Sequence, residues 1–227
     1  SMDGVDASII KTDGHNKFDN VLDKYWEFDV TLHKKLIDLR NEIVTKDKLI
    51  KFSNELKILE RELTIFHSKI VNEIISNYNE NIDLIGFHGQ TIFHDPTNKI
   101  SKQLGDGGLL SQLTKKIVVY DFRKNDLQNG GQGAPLTPIF HNLLANNIFN
   151  DFKDSFSNIL NIGGISNITK TVMNKDESKN SIKAFDIGPG NCLIDEWMRK
   201  NSNKKFDKNG LTGESGVNNQ LLFNQAI

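Results

Sequence analysis

The chain of 227 residues sets 28 lysines and arginines against 29 acidic side chains, and a net charge of −1 argues against a dedicated nucleic-acid binder. A single cysteine, Cys192, excludes a disulfide framework and fits a reducing compartment, where it reads as a small apolar filler beside a helix start. No apolar run approaches the ~20 residues of a membrane span and no signal peptide is visible, so a cytoplasmic chain with no membrane partner is expected. The length suffices for one large domain or two modest ones, either with a real core.

Ser1-Met-Asp-Gly-Val-Asp6 is turn chemistry feeding into Ala-Ser-Ile-Ile10, the pattern of the second half of a β-hairpin. Residues 218–227 stop within a growing amphipathic helix, so the sequence is expected to be a fragment of a longer one. Residues 1–30 read as strand material, with strands at 7–11 and at 20–30 around Tyr25 and Trp26. Residues 31–80 form an αα region. Leu32, Leu36, Leu39 and Ile43 keep helical spacing, as do Leu56, Leu59, Leu63, Ile70, Ile74 and Ile75, with a break at 45–48. The charged residues between them read as a solvated face.

From Ile82 the pattern becomes β with glycine punctuation. Strands are expected at 83–88, 100–104 and 117–122, and a short helix at 109–116. A helix over 135–147 follows the Gly130-Gly-Gln-Gly133 loop, with Ile139, Leu143 and Leu144 on one side. Residues 158–162 and 165–172 read as a hairpin around Gly163-Gly164, and 174–180 as a polar surface turn. A strand at 182–186 leads through Gly-Pro-Gly-Asn into a helix at 193–200. Hairpins mixed with βαβ units predict an α/β architecture with a mixed sheet, and a boundary falls near residues 128–131.

Six polar-glycine clusters follow or join the apolar runs. They are Met2-Asp-Gly-Val-Asp6, Gly86-Phe-His-Gly-Gln-Thr91, Gln103-Leu-Gly-Asp-Gly-Gly108, Gly130-Gly-Gln-Gly-Ala-Pro135, Asn161-Ile-Gly-Gly-Ile-Ser-Asn167 and Asp186-Ile-Gly-Pro-Gly-Asn191. Each alone is compatible with a tight turn. As a set they suit close backbone approach to phosphate, and hence phosphoryl transfer. No Walker A pattern occurs, which disfavours a P-loop nucleotidase.

Asp186 closes its expected strand, where open α/β sheets bind ligands. Apolar neighbours Phe185 and Ile187 would suit a general base there, and a helix-cap or turn carboxylate fits the spacing equally. Asp195 and Glu196 read as surface residues. His88 suits either an oriented structural imidazole or a hydrogen bond to a sugar hydroxyl. His94 lies six residues on, outside helical metal-ligand spacing, so no zinc site is expected. Arg123, at the end of the expected 117–122 strand, can clamp a carboxylate or phosphate, or pair with Asp121 or Asp126. Gln132 can read a polar ligand or fill a turn.

Taken in order, these motifs resemble the anhydro-N-acetylmuramic acid kinase family, within the actin and sugar-kinase superfamily. The matching segments are Ser1–Asp6, Gly86-Phe-His-Gly-Gln-Thr-Ile92, Asp121-Phe-Arg123, Gly130-Gly-Gln-Gly-Ala-Pro-Leu136, Asn161-Ile-Gly-Gly-Ile-Ser-Asn167 and Phe185-Asp-Ile-Gly-Pro-Gly-Asn191. They span nearly the whole chain. The resemblance implies a ribonuclease H-like, actin-type ATPase fold of mixed sheets flanked by helices in two lobes. The first lobe would be 1–128, carrying the helical segment 31–80, and 129–227 would be an incomplete second lobe. It further implies ATP- and Mg²⁺-dependent conversion of 1,6-anhydro-N-acetylmuramic acid to N-acetylmuramic acid 6-phosphate, a step in recycling cell-wall sugar. Water opens the anhydro bridge and the freed 6-oxygen takes the γ-phosphoryl group.

By the same resemblance Asp186 is the general base. Ser1, Met2, Asp3, Gly4, Val5 and Asp6 belong to a first phosphate loop, and Gly163 and Gly164 to a second. Arg123 meets the lactyl carboxylate, and His88 and Gln132 face the sugar. Metal ligands stay unassigned and a homodimer stays open. Two other readings compete: a non-catalytic remnant or sugar-binding module of the same fold, separable by titration with an ATP analogue, and a glycosidase, which would need a second carboxylate opposite Asp186.

Overall fold

Alternating burial makes residues 4–12 a strand, with Val5 and Ile9 buried and Asp6, Ser8 and Ile10 exposed. The structure is a computed structural model that describes residues 2–14, 17–148, 155–173 and 181–226. The chain divides into two units, Ser1–Phe152 and Lys153–Ile227, each taken by itself below.

In the first unit, β1 (Gly4–Thr12) pairs antiparallel with β2 (Phe18–Glu27), setting Val5 against Trp26 and Asp6 against Tyr25. Helix α1 (Val30–Glu42) starts where the Asp29 carboxylate accepts the Leu32 N–H at 2.9 Å, a side-chain N-cap. It buries Leu32, Leu36 and Leu39. The break lies at 43–45, so the expected break at 45–48 falls mostly inside α2 (Lys46–Lys51), and α3 (Ser53–Ser76) continues the helical region with Leu56, Leu59, Leu63 and Ile70 inward. These side chains form one core with Met2, Val5, Phe28, Ile92 and Leu104. Glu73 ties α3 to β2 by accepting from Lys24 Nζ at 2.6 Å and from Trp26 Nε1 at 3.3 Å.

Strand β3 (Leu84–Phe87) is followed by β4 (Gln90–Asp95) and β5 (Ile100–Leu104), which pair antiparallel. Helix α4 (Gly107–Thr114), capped by Asp106, leads to β6 (Ile117–Tyr120), which lies parallel to β3. The bend at Gly105–Asp106 is fixed on α3: Glu60 accepts the Gly105 N–H at 3.2 Å and Thr64 Oγ1 accepts the Asp106 N–H at 3.0 Å. Several elements of this unit differ from expectation. Residues 90–95 form a strand where no element was expected. The 117–122 strand ends at Tyr120, because Asp121 takes a left-handed φ of 61° and turns the chain into α5 (Phe122–Gln128). Helix α6 (Pro138–Ile148) starts three residues later than expected, at its proline.

The second unit is a meander of β7 (Ser155–Ile162), β8 (Ile165–Met173) and β9 (Ser181–Pro189), in that spatial order and all antiparallel. Ser157 and Thr171 are buried and share a hydrogen bond of 2.7 Å between their hydroxyls. Helix α7 (Cys192–Asn201) follows, then a short 3₁₀ turn at Lys208–Gly210, α8 (Leu211–Glu214) and α9 (Gln220–Ala226). The expected hairpin around Gly163-Gly164 is present, while the expected turn at 174–180 lies outside the described residues. One parallel pair among antiparallel ones, with helices throughout, makes this a mixed α/β chain. Among the described residues no helix is long and apolar enough to cross a membrane.

Candidate functional site

The N-terminal cluster sits partly inside β1. Ser1 lies outside the described residues. Met2 and Val5 are buried in the core, and the Asp3 carbonyl accepts the Phe28 N–H at 2.8 Å. Gly4 lies so close to the Trp26 carbonyl and the Tyr25 ring that any side chain there would collide with both. Asp6 is exposed opposite Tyr25. Burial raises the Tyr25 phenol above its usual range, and the negative charges of Asp3, Glu27 and Asp6 push it further the same way. Beside β1, a cavity of about 1030 Å³ opens between that strand, the second half of α3 and β3, with His88 and Gly89 in its wall.

His88 and Arg123 meet. The β3–β4 connection carries His88, and the first turn of α5 carries Arg123, which therefore sits on a helix and not at a strand end. Arg123 Nε donates to His88 Nε2 at 2.8 Å and Nη1 donates to the Gly133 carbonyl at 3.0 Å. The Gly133 N–H donates in turn to Asp126 Oδ2 at 2.7 Å, and the Gly131 N–H to the Asp126 carbonyl at 2.9 Å. Asp126 thus holds both ends of Gly131-Gln-Gly133 and leaves Gln132 exposed between them. The expected ion pairs of Arg123 with Asp121 or Asp126 do not form; Asp121 faces Lys124 at 3.8 Å instead. Gly133, at φ 73°, is buried where a Cβ would meet Leu127 Cγ at 2.9 Å and His94 Cε1 at 3.1 Å. His94 Nδ1 is bonded to Ser101 Oγ at 3.0 Å.

Burial lowers the pKa of Arg123, which stays cationic. Burial lowers His88, partly offset by its bond to the Gly89 carbonyl and aided to a smaller degree by the neighbouring guanidinium, which favours the neutral imidazole.

In the second unit, two glycine clusters lock together. The Gly190 N–H donates to the Gly164 carbonyl at 2.9 Å and the Asn191 N–H to the Gly163 carbonyl at 2.8 Å, which seats the β7–β8 turn on the start of α7. Asp186 does not close its strand. It pairs with Asn167 inside β9, next to an irregularity that puts one extra residue, Ile187, opposite the Ser166–Asn167 step. Phe185 faces away from Asp186 by strand alternation, and both Phe185 and Ile187 are exposed, so no apolar wall surrounds the carboxylate. Asp186 is itself exposed, without a hydrogen-bond or ion-pair partner among the described residues. Asp195 and Glu196 lie on α7, where Glu196 pairs with Arg199 at 3.2 Å and Lys200 at 3.1 Å.

Two residues named in the sequence reading take places it did not foresee. Asp126 signals itself only as an acidic residue five positions before Gly131-Gln-Gly133, and Asn167 only by register. Among the described residues no group of three or more His, Cys, Asp or Glu side chains converges to hold a metal ion.

A family model described as anhydro-N-acetylmuramic acid kinase matches residues 1–226. The chain is 51% identical over 227 residues to the anhydro-N-acetylmuramic acid kinase of Pelagibacter ubique, covering all of this chain and 59% of that one. It is 38% identical over 223 residues to the kinase of that name from Agrobacterium fabrum and 39% identical over 223 residues to that of Brucella canis. In both cases 95% of this chain and 57% of the relative is covered. The chain therefore spans a little under three-fifths of the length of the curated relatives it matches. By the match along its whole length, this chain belongs to the anhydro-N-acetylmuramic acid kinase family.

Proposed function

We propose that this chain supplies the greater part of a cytoplasmic kinase that uses ATP to convert 1,6-anhydro-N-acetylmuramic acid to N-acetylmuramic acid 6-phosphate. The observation that carries the reading is the second-unit assembly: the 163–164 turn and the 190–191 turn bind each other, and the Asp186 carboxylate is exposed with no partner among the described residues. A free carboxylate on a paired strand suits a general base. In the reaction, a water oxygen attacks the anomeric carbon, its proton passes to Asp186, and the bond from that carbon to the 6-oxygen breaks. The freed 6-oxygen then bonds to the γ-phosphorus, and ADP leaves.

The second-unit glycines support a phosphate role. Gly163 and Gly164 have no positive φ, and a Cβ on either would meet its nearest neighbour no closer than 3.7 Å and 4.0 Å respectively. Neither backbone strain nor packing within the described residues requires glycine there, whereas close approach of a phosphate would. Ser1, Met2, Asp3, Gly4, Val5 and Asp6 form the other proposed phosphate segment. Arg123, His88 and Gln132 are the proposed sugar-facing group of the first unit, with Arg123 directed at the lactyl carboxylate. Mg²⁺ usually keeps several waters and binds through substrate phosphates and one or two carboxylates. Among the described residues no group of three or more His, Cys, Asp or Glu side chains converges, and no residue is assigned to the ion.

At fold level the proposal is a ribonuclease H-like, actin-type arrangement with lobes 1–128 and 129–227, the second incomplete, and a homodimer as the assembly. The test is incubation of the purified natural protein with the anhydro sugar, ATP and Mg²⁺. Equimolar ADP and a 6-phosphorylated reducing sugar are expected, and sugar-independent ADP release alone would sink the assignment.

A further inference from the structure

Arg123 is half-buried and gripped on two sides, by His88 Nε2 at 2.8 Å and by the Gly133 carbonyl at 3.0 Å. A ring nitrogen that accepts a hydrogen bond carries no proton, so neutral His88 holds its proton on Nδ1. There it donates to the Gly89 carbonyl at 2.8 Å. Both ring nitrogens are therefore used inside the protein. Gly133 is itself fixed by the Asp126 carboxylate, at 2.7 Å from its N–H. A continuous series of hydrogen bonds thus runs from Asp126 through Gly133, Arg123 and His88 to Gly89. At the centre of the series Arg123 Nη2 has no partner among the described residues.

We propose that His88 is a positioning residue that acts on the sugar through Arg123, locking the guanidinium so that its Nη2 side meets the carboxylate of an anionic anhydro sugar. This rests on the proposed role of Arg123 at that carboxylate. Two fixed acceptors remove the rotamer freedom that a long side chain otherwise loses on binding, and burial strengthens the charge-assisted bond that results. The geometry demands the neutral Nδ1–H tautomer, because an imidazolium offers Arg123 no acceptor.

The experiment is isothermal titration of the protein and its variants with 1,6-anhydro-N-acetylmuramic acid and with 1,6-anhydro-N-acetylglucosamine, which lacks the lactyl carboxylate. His88→Ala should weaken the first sugar about tenfold and leave the second within about twofold. His88→Gln, whose amide oxygen can accept from Arg123 Nε, should recover most of the loss. Loss on both sugars alike, or on neither, with Arg123→Ala still selective for the carboxylate, overturns the positioning role alone. An Arg123→Ala variant with no selective loss overturns the sugar-carboxylate reading beneath it. Without any ligand, ¹H–¹⁵N spectra of His88 should show a protonated Nδ1 and a bare Nε2, and the opposite tautomer overturns the inference.

Discussion

Replacing Gly190 by alanine asks whether the two glycine clusters of the second unit form one structure. A Cβ at this position would fall well inside 3.0 Å of the Gly163 carbonyl oxygen and 2.9 Å from Ser166 Oγ. The serine hydroxyl can rotate away. The carbonyl cannot, because it accepts the Asn191 N–H at 2.8 Å while the Gly190 N–H binds the Gly164 carbonyl at 2.9 Å. Relief must move the 163–164 turn off the start of α7, and both bonds go with it. At about 0.5–1.5 kcal/mol net for each bond, the loss is about 1–3 kcal/mol. Gly164→Ala is the control: its Cβ meets nothing nearer than Cys192 Cβ at 4.0 Å, so the change should stay within about 0.5 kcal/mol. A chain of two units need not unfold in one step, so the assay is amide hydrogen exchange at Gly190 and Asn191, with urea unfolding as support. Protection at both amides should fall by about 5- to 150-fold in Gly190→Ala. Protection unchanged there, or equally reduced in Gly164→Ala, would refute the reasoning.

Asp186→Asn should keep the fold, since the side chain is exposed, and should lower kcat by about 10²–10⁴-fold in an ADP-release assay; near-normal turnover would remove the base. His67, half-buried on α3 with Nδ1 bonded to the Leu63 carbonyl at 2.8 Å, has its pKa lowered chiefly by desolvation. The unfolded chain then takes up a proton near pH 6.5 that the folded chain refuses, so stability is full above that pH and falls as pH drops toward the folded value. His67→Phe should make the fall in urea midpoint between about pH 7.5 and about pH 5.5 smaller than in the parent, and an unchanged fall would exclude His67 as a source. Leu63→Ala, at a fully buried core position, should cost about 2–5 kcal/mol by urea unfolding; a cost under about 1 kcal/mol would mean that α3 is not the centre of that core.

Local rules made the helices legible. Leu32, Leu36 and Leu39, then Leu56, Leu59 and Leu63, are buried as their spacing predicts, because one helical face must meet the core whatever lies beyond it. One strand was harder to read although its partner is local. Residues 90–95 pair with 100–104 around an irregular register, and nothing in Gln-Thr-Ile-Phe-His-Asp announces a partner there. Arg123 was expected at a strand end, but its place on α5 depends on a left-handed φ at Asp121, an uncommon conformation for a non-glycine residue. The strand, turn and helix of the Asp186 motif were legible, but the strand end was misplaced, since β9 runs on to Pro189 through the irregular step.

In the sequence, the glycines of the motifs look alike, and the structure separates them by cause. Gly133 combines a φ of 73° with a site that Leu127 and His94 already fill, and Gly190 is forced by the Gly163 carbonyl. Those two residues are explained by the chain itself. Gly163 and Gly164 are not: their φ is unstrained and a Cβ on either would make only ordinary van der Waals contact. A glycine with no internal cause is where an external one should be sought, and here its turn is fastened to the helix that follows Asp186 by the bonds of Gly190 and Asn191. Fixing the turn through its carbonyls to a neighbouring backbone leaves an otherwise tolerant position rigid, which is what close approach of a phosphate requires. Gly190→Ala and Gly163→Ala should therefore part company. The first loosens the turn and the second leaves it in place. Both should weaken binding of an ATP analogue to the natural protein, and a Gly163→Ala variant that binds it as the parent does would assign the pair to turn formation alone.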